Sequence, residues 1–199
     1  MTSSWLWPAI AALLLWIPLS STLLLRKSGD SHRLSETPSA KELLAYWPNW
    51  VDLVRCAIAM ALMVGWGNSL RQEDPASGKL VIGIIMAITI AGLFIQALLL
   101  PNHRTLFVPL PIILASALFV PGWDLGLFAV LVAWGLCAAS EKFNLLIPIL
   151  AGILMLGGIV LGTNRLDLVA AVLIVGIPQL FAIMFGRHIM LPSKALASQ

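Results

Sequence analysis

Apolar runs long enough to cross a bilayer recur along this chain, and they limit what it can fold into. Seven can be marked: Trp5–Leu25, Val51–Leu70, Leu80–Leu100, Leu106–Val120, Leu125–Ala139, Leu145–Gly162 and Leu168–Phe185. Polar or turn-forming stretches separate them, at Arg26–Trp50, Arg71–Lys79, Pro101–Thr105, Pro121–Asp124, Ser140–Asn144 and Thr163–Asp167. Hydrocarbon offers no partner to a backbone amide or carbonyl, so a crossing segment must bond internally, as a helix. Membrane β-strands alternate polar and apolar residues, and these runs do not. The expected fold is all-α: a polytopic membrane bundle of about seven transmembrane helices, forming one membrane domain over residues 1–199. Composition agrees. The chain is 60% hydrophobic and 11% charged, with a mean hydropathy of +0.97, whereas soluble domains carry about 25% charged residues.

The first run is long enough to be a span rather than a signal peptide. No basic side chain precedes it in Met1–Ser4, and Arg26 and Lys27 follow it. Both features fit an uncleaved first helix. The fourth and fifth runs are short. They read as two full spans, with a re-entrant hairpin tipped by Pro121-Gly122-Trp123-Asp124 as the rival. The rival would put Asp124 deep in the membrane, at roughly 2.5–3.5 kcal/mol on the insertion scale.

Lysine and arginine set the orientation. With the N-terminus outside, one side holds Arg26, Lys27, Arg33, Lys41, Arg55, Arg104, Lys142, Arg187 and Lys194, and the other only Arg71, Lys79 and Arg165. The positive-inside rule then places the N-terminus outside and the C-terminus in the cytoplasm, in a cell (inner) membrane. The formal net charge of +3 is small and dispersed, which excludes nucleic acid as a partner.

The cytoplasmic loop 26–50 is too short for a domain but holds a candidate amphipathic helix. Ser39-Ala-Lys-Glu42 matches a capping box, and Leu43, Leu44, Tyr46 and Trp47 can lie on the inner membrane face. Pro48 is expected to end that helix, and Asn49 to cap the second span. Pro111-Ile-Ile-Leu-Ala with Asp124-Leu-Gly-Leu faintly echoes Pro148-Ile-Leu-Ala with Asp167-Leu-Val-Ala; a small apolar alphabet produces such likeness by chance, and the alternative is a pair of parallel repeated hairpins of the kind some transporters show.

Chemistry-bearing residues are sparse. Small residues recur at helical spacing in Ala57, Ala61 and Gly65, in Ala87 and Ala91, in Ala129, Ala133 and Cys137, and in Gly158-x-x-x-Gly162. In lipid, such faces let helices approach closely. Asp52 and Arg55 sit about one turn inside the inner edge and can pair at i, i+3. Arg55 is also a candidate contact for an anionic headgroup. Gln96, Gln179 and Thr89 are the candidates to line a polar path, and Pro178 interrupts the last helix. The bland reading of all three is hydrogen bonding between helices. Cys56 and Cys137 read as small packing residues. His32, His103 and His188 lie outside the spans and form no metal set of three or four donors. The sequence holds no H-E-x-x-H, G-x-S-x-G or P-loop motif. No catalytic residue, metal ligand or cofactor is therefore assigned.

Three function classes follow. The first is a non-catalytic membrane component acting through helix packing with other subunits, with itself or with lipids. The second is a small-solute or ion transporter or channel. The third is an intramembrane enzyme. A dry bundle with an exposed small-residue face favours the first, a continuous polar cavity the second, and converging polar donors at a lipid-accessible cleft the third.

Overall fold

The computed structural model describes residues 5–17, 34–35, 40–45, 47–98, 105–186 and 188–192. Eight α-helices and three short strands follow one another among them. The helices are α1 (Leu6–Trp16), α2 (Ala40–Ala45), α3 (Trp47–Glu73), α4 (Gly78–Leu98), α5 (Leu110–Phe119), α6 (Trp123–Ser140), α7 (Leu146–Val160) and α8 (Arg165–Met184). The strands are β1 (Leu34–Ser35), β2 (Thr105–Phe107) and β3 (His188–Pro192). The chain is a helical bundle. Five helices, α3, α4, α6, α8 and α7 counted from Phe143, are long and apolar enough to cross a membrane. α1 and α5 are apolar but have only 11 and 10 residues.

Prolines explain both short helices. The first apolar run was expected to be helical to Leu25. The helix ends at Trp16, and Ile17 is extended at φ −79°, ψ 110°. Pro18 follows, and its ring disfavours the helical conformation in the residue before it. Residues 18–25 of that expected span lie outside the described residues. The fourth run was expected to be helical from Leu106. Thr105–Phe107 is instead a strand, and the helix starts at Leu110, with Pro109 as its N-cap and Pro111 in its first turn. Proline has no N–H to give and fits only where none is needed. Pro48 obeys the same rule. It does not end α2; it sits in the first turn of α3, which therefore starts at Trp47 rather than Val51.

α5 is the axis of the bundle. Every residue from Leu110 to Ala117 is buried, as expected of a helix that is apolar all round. It packs on α3, α6 and α8, with a smaller contact to α4. α1 lies against α3 and α4, and α7 lies against α6 and α8. Gly126 lets α6 cross α5 closely: a Cβ there would stand 2.4 Å from the carbonyl oxygens of Ala117 and Leu118. Ring contacts tie other helices together, Trp5 to Trp66 at 5.2 Å and Phe94 to Phe181 at 4.8 Å.

The strands gather one end of the bundle. Their order is β1-β3-β2, with β1 antiparallel and β2 parallel to β3. Thr105 pairs with His188, Leu106 with Ile189 and Phe107 with Met190. This sheet end holds segments from the first loop, the α4–α5 connection and the C-terminal stretch. At the opposite, turn end, the last residues of α3, the Phe119–Gly122 turn and the Thr163–Asn164 turn border one cavity. α5 and its extended lead-in therefore run from the sheet end to the turn end. Gly122 and Asn164 line the same cavity at that end.

Candidate functional sites at the two ends of the bundle

The sheet-end site is built from helix C-termini. The last four carbonyls of a helix have no intrahelical donor and carry the negative end of its dipole. α1 ends against α3 and α4, and those helices supply the missing donors. Arg55 donates through Nη1 to the Leu14 and Ile17 carbonyls. Gln96 donates to the Leu15 carbonyl at 2.8 Å. In return, Trp16 of α1 donates to the Ile88 carbonyl at 3.1 Å. The Arg55 guanidinium also pairs with Asp52 at 2.8 Å, the two side chains being 9% and 1% exposed. A guanidinium suits this place because its fork of donors reaches several oxygens at once.

The same end of α3 caps α2. Asn49 Nδ2 donates to the Leu43 carbonyl at 3.3 Å, and Trp50 Nε1 to the Leu44 carbonyl at 2.8 Å. Asn49 was expected as the N-cap of the second span. It lies inside α3 and terminates the preceding helix instead. Ser39 and the side chain of Glu42, the two halves of the expected capping box, lie outside the described residues.

The polar-path candidates face different neighbours. Gln96 is buried and turned towards α1. Thr89 is buried; its hydroxyl donates to the Ile85 carbonyl one turn back at 2.7 Å and lies 3.8 Å from the Met60 sulfur. Gln179 is half-buried on α8, with its Oε1 enclosed and without a hydrogen-bond partner among the described residues. Pro178 sits inside α8, which continues through it. Lacking an N–H, it leaves the Ile174 carbonyl without its helical donor.

The turn-end site was not foreseen from the sequence. Arg71, in the last turn of α3, grips Asp167, in the first turn of α8, through both guanidinium nitrogens at 3.0 and 2.6 Å. The side chains are 25% and 14% exposed. Each charge also suits its own helix end, cation at a C-terminus and anion at an N-terminus. The signal that could have found the pair was there: an Arg ending one span and an Asp opening another, on the same side. A cavity of about 280 Å3 lies beside them, with Asn68, Thr163 and Asn164 at its rim and Val64, Val81, Ile85 and Phe119 among its apolar walls. Such a rim can hold a few waters or a small polar group.

Comparison with protein-family models, with curated proteins and with solved structures finds no match. The site geometry therefore carries the functional argument.

The small-residue faces have separate fates. On α6, Ala129, Ala133 and Cys137 are buried within the bundle. On α7, Gly158 is buried, and a Cβ there would meet the Leu168 side chain at 2.3 Å. Gly162 is not on that packing face. It is exposed, at φ +65°, with nothing near its missing Cβ. It ends α7 in a Schellman motif, in which Thr163 N–H bonds the Gly158 carbonyl at 3.0 Å and Gly162 N–H the Ile159 carbonyl at 3.4 Å. On α4, Ala87 is exposed and Ala91 half-buried, and Gly83 one turn before Ala87 is exposed too. On α3, Ala57 is half-buried while Ala61 and Gly65 are exposed, and the space beside Gly65 is open.

Proposed function

We propose that the chain is a non-catalytic component of a membrane assembly, and that the outward face of α3 receives another transmembrane helix. One observation carries this reading. Ala129, Ala133 and Cys137 of α6, and Gly158 of α7, are already used inside the bundle, whereas Ala61 and Gly65 on α3 are turned away from it and, with the exposed Val54 and Ile58, make the longest such outward face. In hydrocarbon an apolar surface gains nothing merely by leaving lipid. Close backbone approach at small residues is what makes helices associate.

The interior supports the same reading over a solute path. The buried polar side chains Thr89, Gln96 and Ser116 donate to carbonyls of the chain's own helices. The proposed placement is a cell membrane, with the N-terminus outside and the sheet end in the cytoplasm. The bias of nine basic residues against three supports it.

Purification in mild detergent followed by mass spectrometry tests the function. Wild type should bring a membrane partner, or a second copy, in fixed ratio. Ala61→Ile and Gly65→Ile should lose it without a change in unfolding temperature. A wild type that purifies as a lone monomer, or variants that keep the partner, would overturn the proposal.

A further inference from the structure

A second outward surface, separate from the α3 face, has the form of a lipid site. A groove of about 1070 Å3 runs between α7 and α8. Met155, Ile159, Val169 and Leu173 flank it and are exposed, and Gly158 and Leu168, both buried and packed together, lie at its floor. Its far end is polar, formed by Thr163, Asn164 and Arg165 at the turn end of the bundle.

Length and charge select the occupant. From Arg165 to Leu173 the groove follows α8 for about 12 Å at the helical rise. That is within the roughly 15 Å that one leaflet contributes to a hydrocarbon core of about 30 Å. The groove thus starts at the membrane surface and ends inside the same leaflet, which is the course of a single acyl chain. Arg165 is exposed and makes no ion pair among the described residues. Asp167, the acid nearest to it in sequence, is held by Arg71. Arg165 also opens α8, where the helix dipole disfavours a cation. An anion is the missing element at this end, and hydrocarbon fits the rest.

We infer that this groove binds one anionic phospholipid, with its phosphate at Arg165 and an acyl chain between α7 and α8. The Thr163 hydroxyl offers a further donor at the headgroup level. The inference does not depend on a helix partner at α3.

Native mass spectrometry of the full chain with added phosphatidylglycerol or phosphatidylcholine tests it. Wild type should retain phosphatidylglycerol about fivefold better, as one basic side chain near an anionic lipid allows. Arg165→Gln should abolish the preference while leaving phosphatidylcholine retention unchanged, and Arg165→Lys should restore most of it. Val169→Trp, which fills the groove from an exposed position, should lower retention of both lipids. Equal retention of the two lipids by wild type, or a preference that survives Arg165→Gln, would overturn the inference. Displacement of the lipid by free glycerol phosphate would also overturn it, since the head alone would then be the ligand.

Discussion

Gly126 and Gly65 answer the same substitution in opposite ways. A methyl group at Gly126 would meet backbone oxygens of α5, and backbone cannot rotate aside. Gly126→Ala should therefore cost about 1–3 kcal/mol, the range of core overpacking, and lower the unfolding temperature in detergent. At Gly65 the space is open, so Gly65→Ala should be neutral or stabilise by up to about 1 kcal/mol through helix propensity. Arg55 sets a larger effect. Arg55→Met strips the Arg55 donors from the end of α1 and breaks the buried pair with Asp52. A loss of about 3–5 kcal/mol is expected, and Asp52→Asn in the same chain should recover part of it. Denaturant titration of the two variants checks this, and a single variant as stable as wild type would refute the capping role. The residue types at this site were legible in the sequence: Asp52 and Arg55 stood at pairing distance along one helix. That Arg55 and Gln96 serve the end of α1 was not, because the break at Pro18 that ends α1 at Trp16 lay hidden inside an apolar run.

At the scale of elements, apolarity was the readable property and proline the overlooked one. The five long spans fall where hydropathy places them, since a run of that length leaves the backbone no other solution in lipid. The errors lie at Pro18, Pro48 and Pro109, each inside or beside an apolar stretch whose hydropathy hid the break. β2 shows why. Leu106 and Phe107 are apolar enough for a span, yet the proline at 109 holds the chain extended, and β3 supplies the hydrogen bonds that a helix would have made. This pairing can be trapped. Cysteines at Leu106 and Ile189, Cα partners across β2 and β3, should form a disulfide on mild oxidation. Adding Pro109→Ala and Pro111→Ala should lengthen α5 and reduce the yield. A failure to cross-link in the otherwise native sequence would contradict the parallel strand.

For the whole molecule, the two ends make distinct predictions. Ser77, Gly122 and Asn164 belong to the turn end, and cysteines there should react together with an impermeant thiol reagent on intact cells. Cysteines at Lys142 and Gln199 should be protected. Labelling in the reverse sense would invert the proposed orientation, and protection of Gly122 alone would make α5 and α6 a re-entrant hairpin. Whether α3 receives a partner helix can be read by lipid-borne collisional quenching in native membranes. Fluorophores are placed singly on cysteines at Ala61, Gly65 and, as a lipid-facing reference, Leu131 on α6, the native Cys56 and Cys137 being buried. Positions 61 and 65 should be shielded relative to 131 in the native membrane and should become equally accessible once the purified protein is reconstituted at one copy per vesicle. Equal quenching at all three positions in the native membrane, or shielding that persists with one copy per vesicle, would contradict the claim.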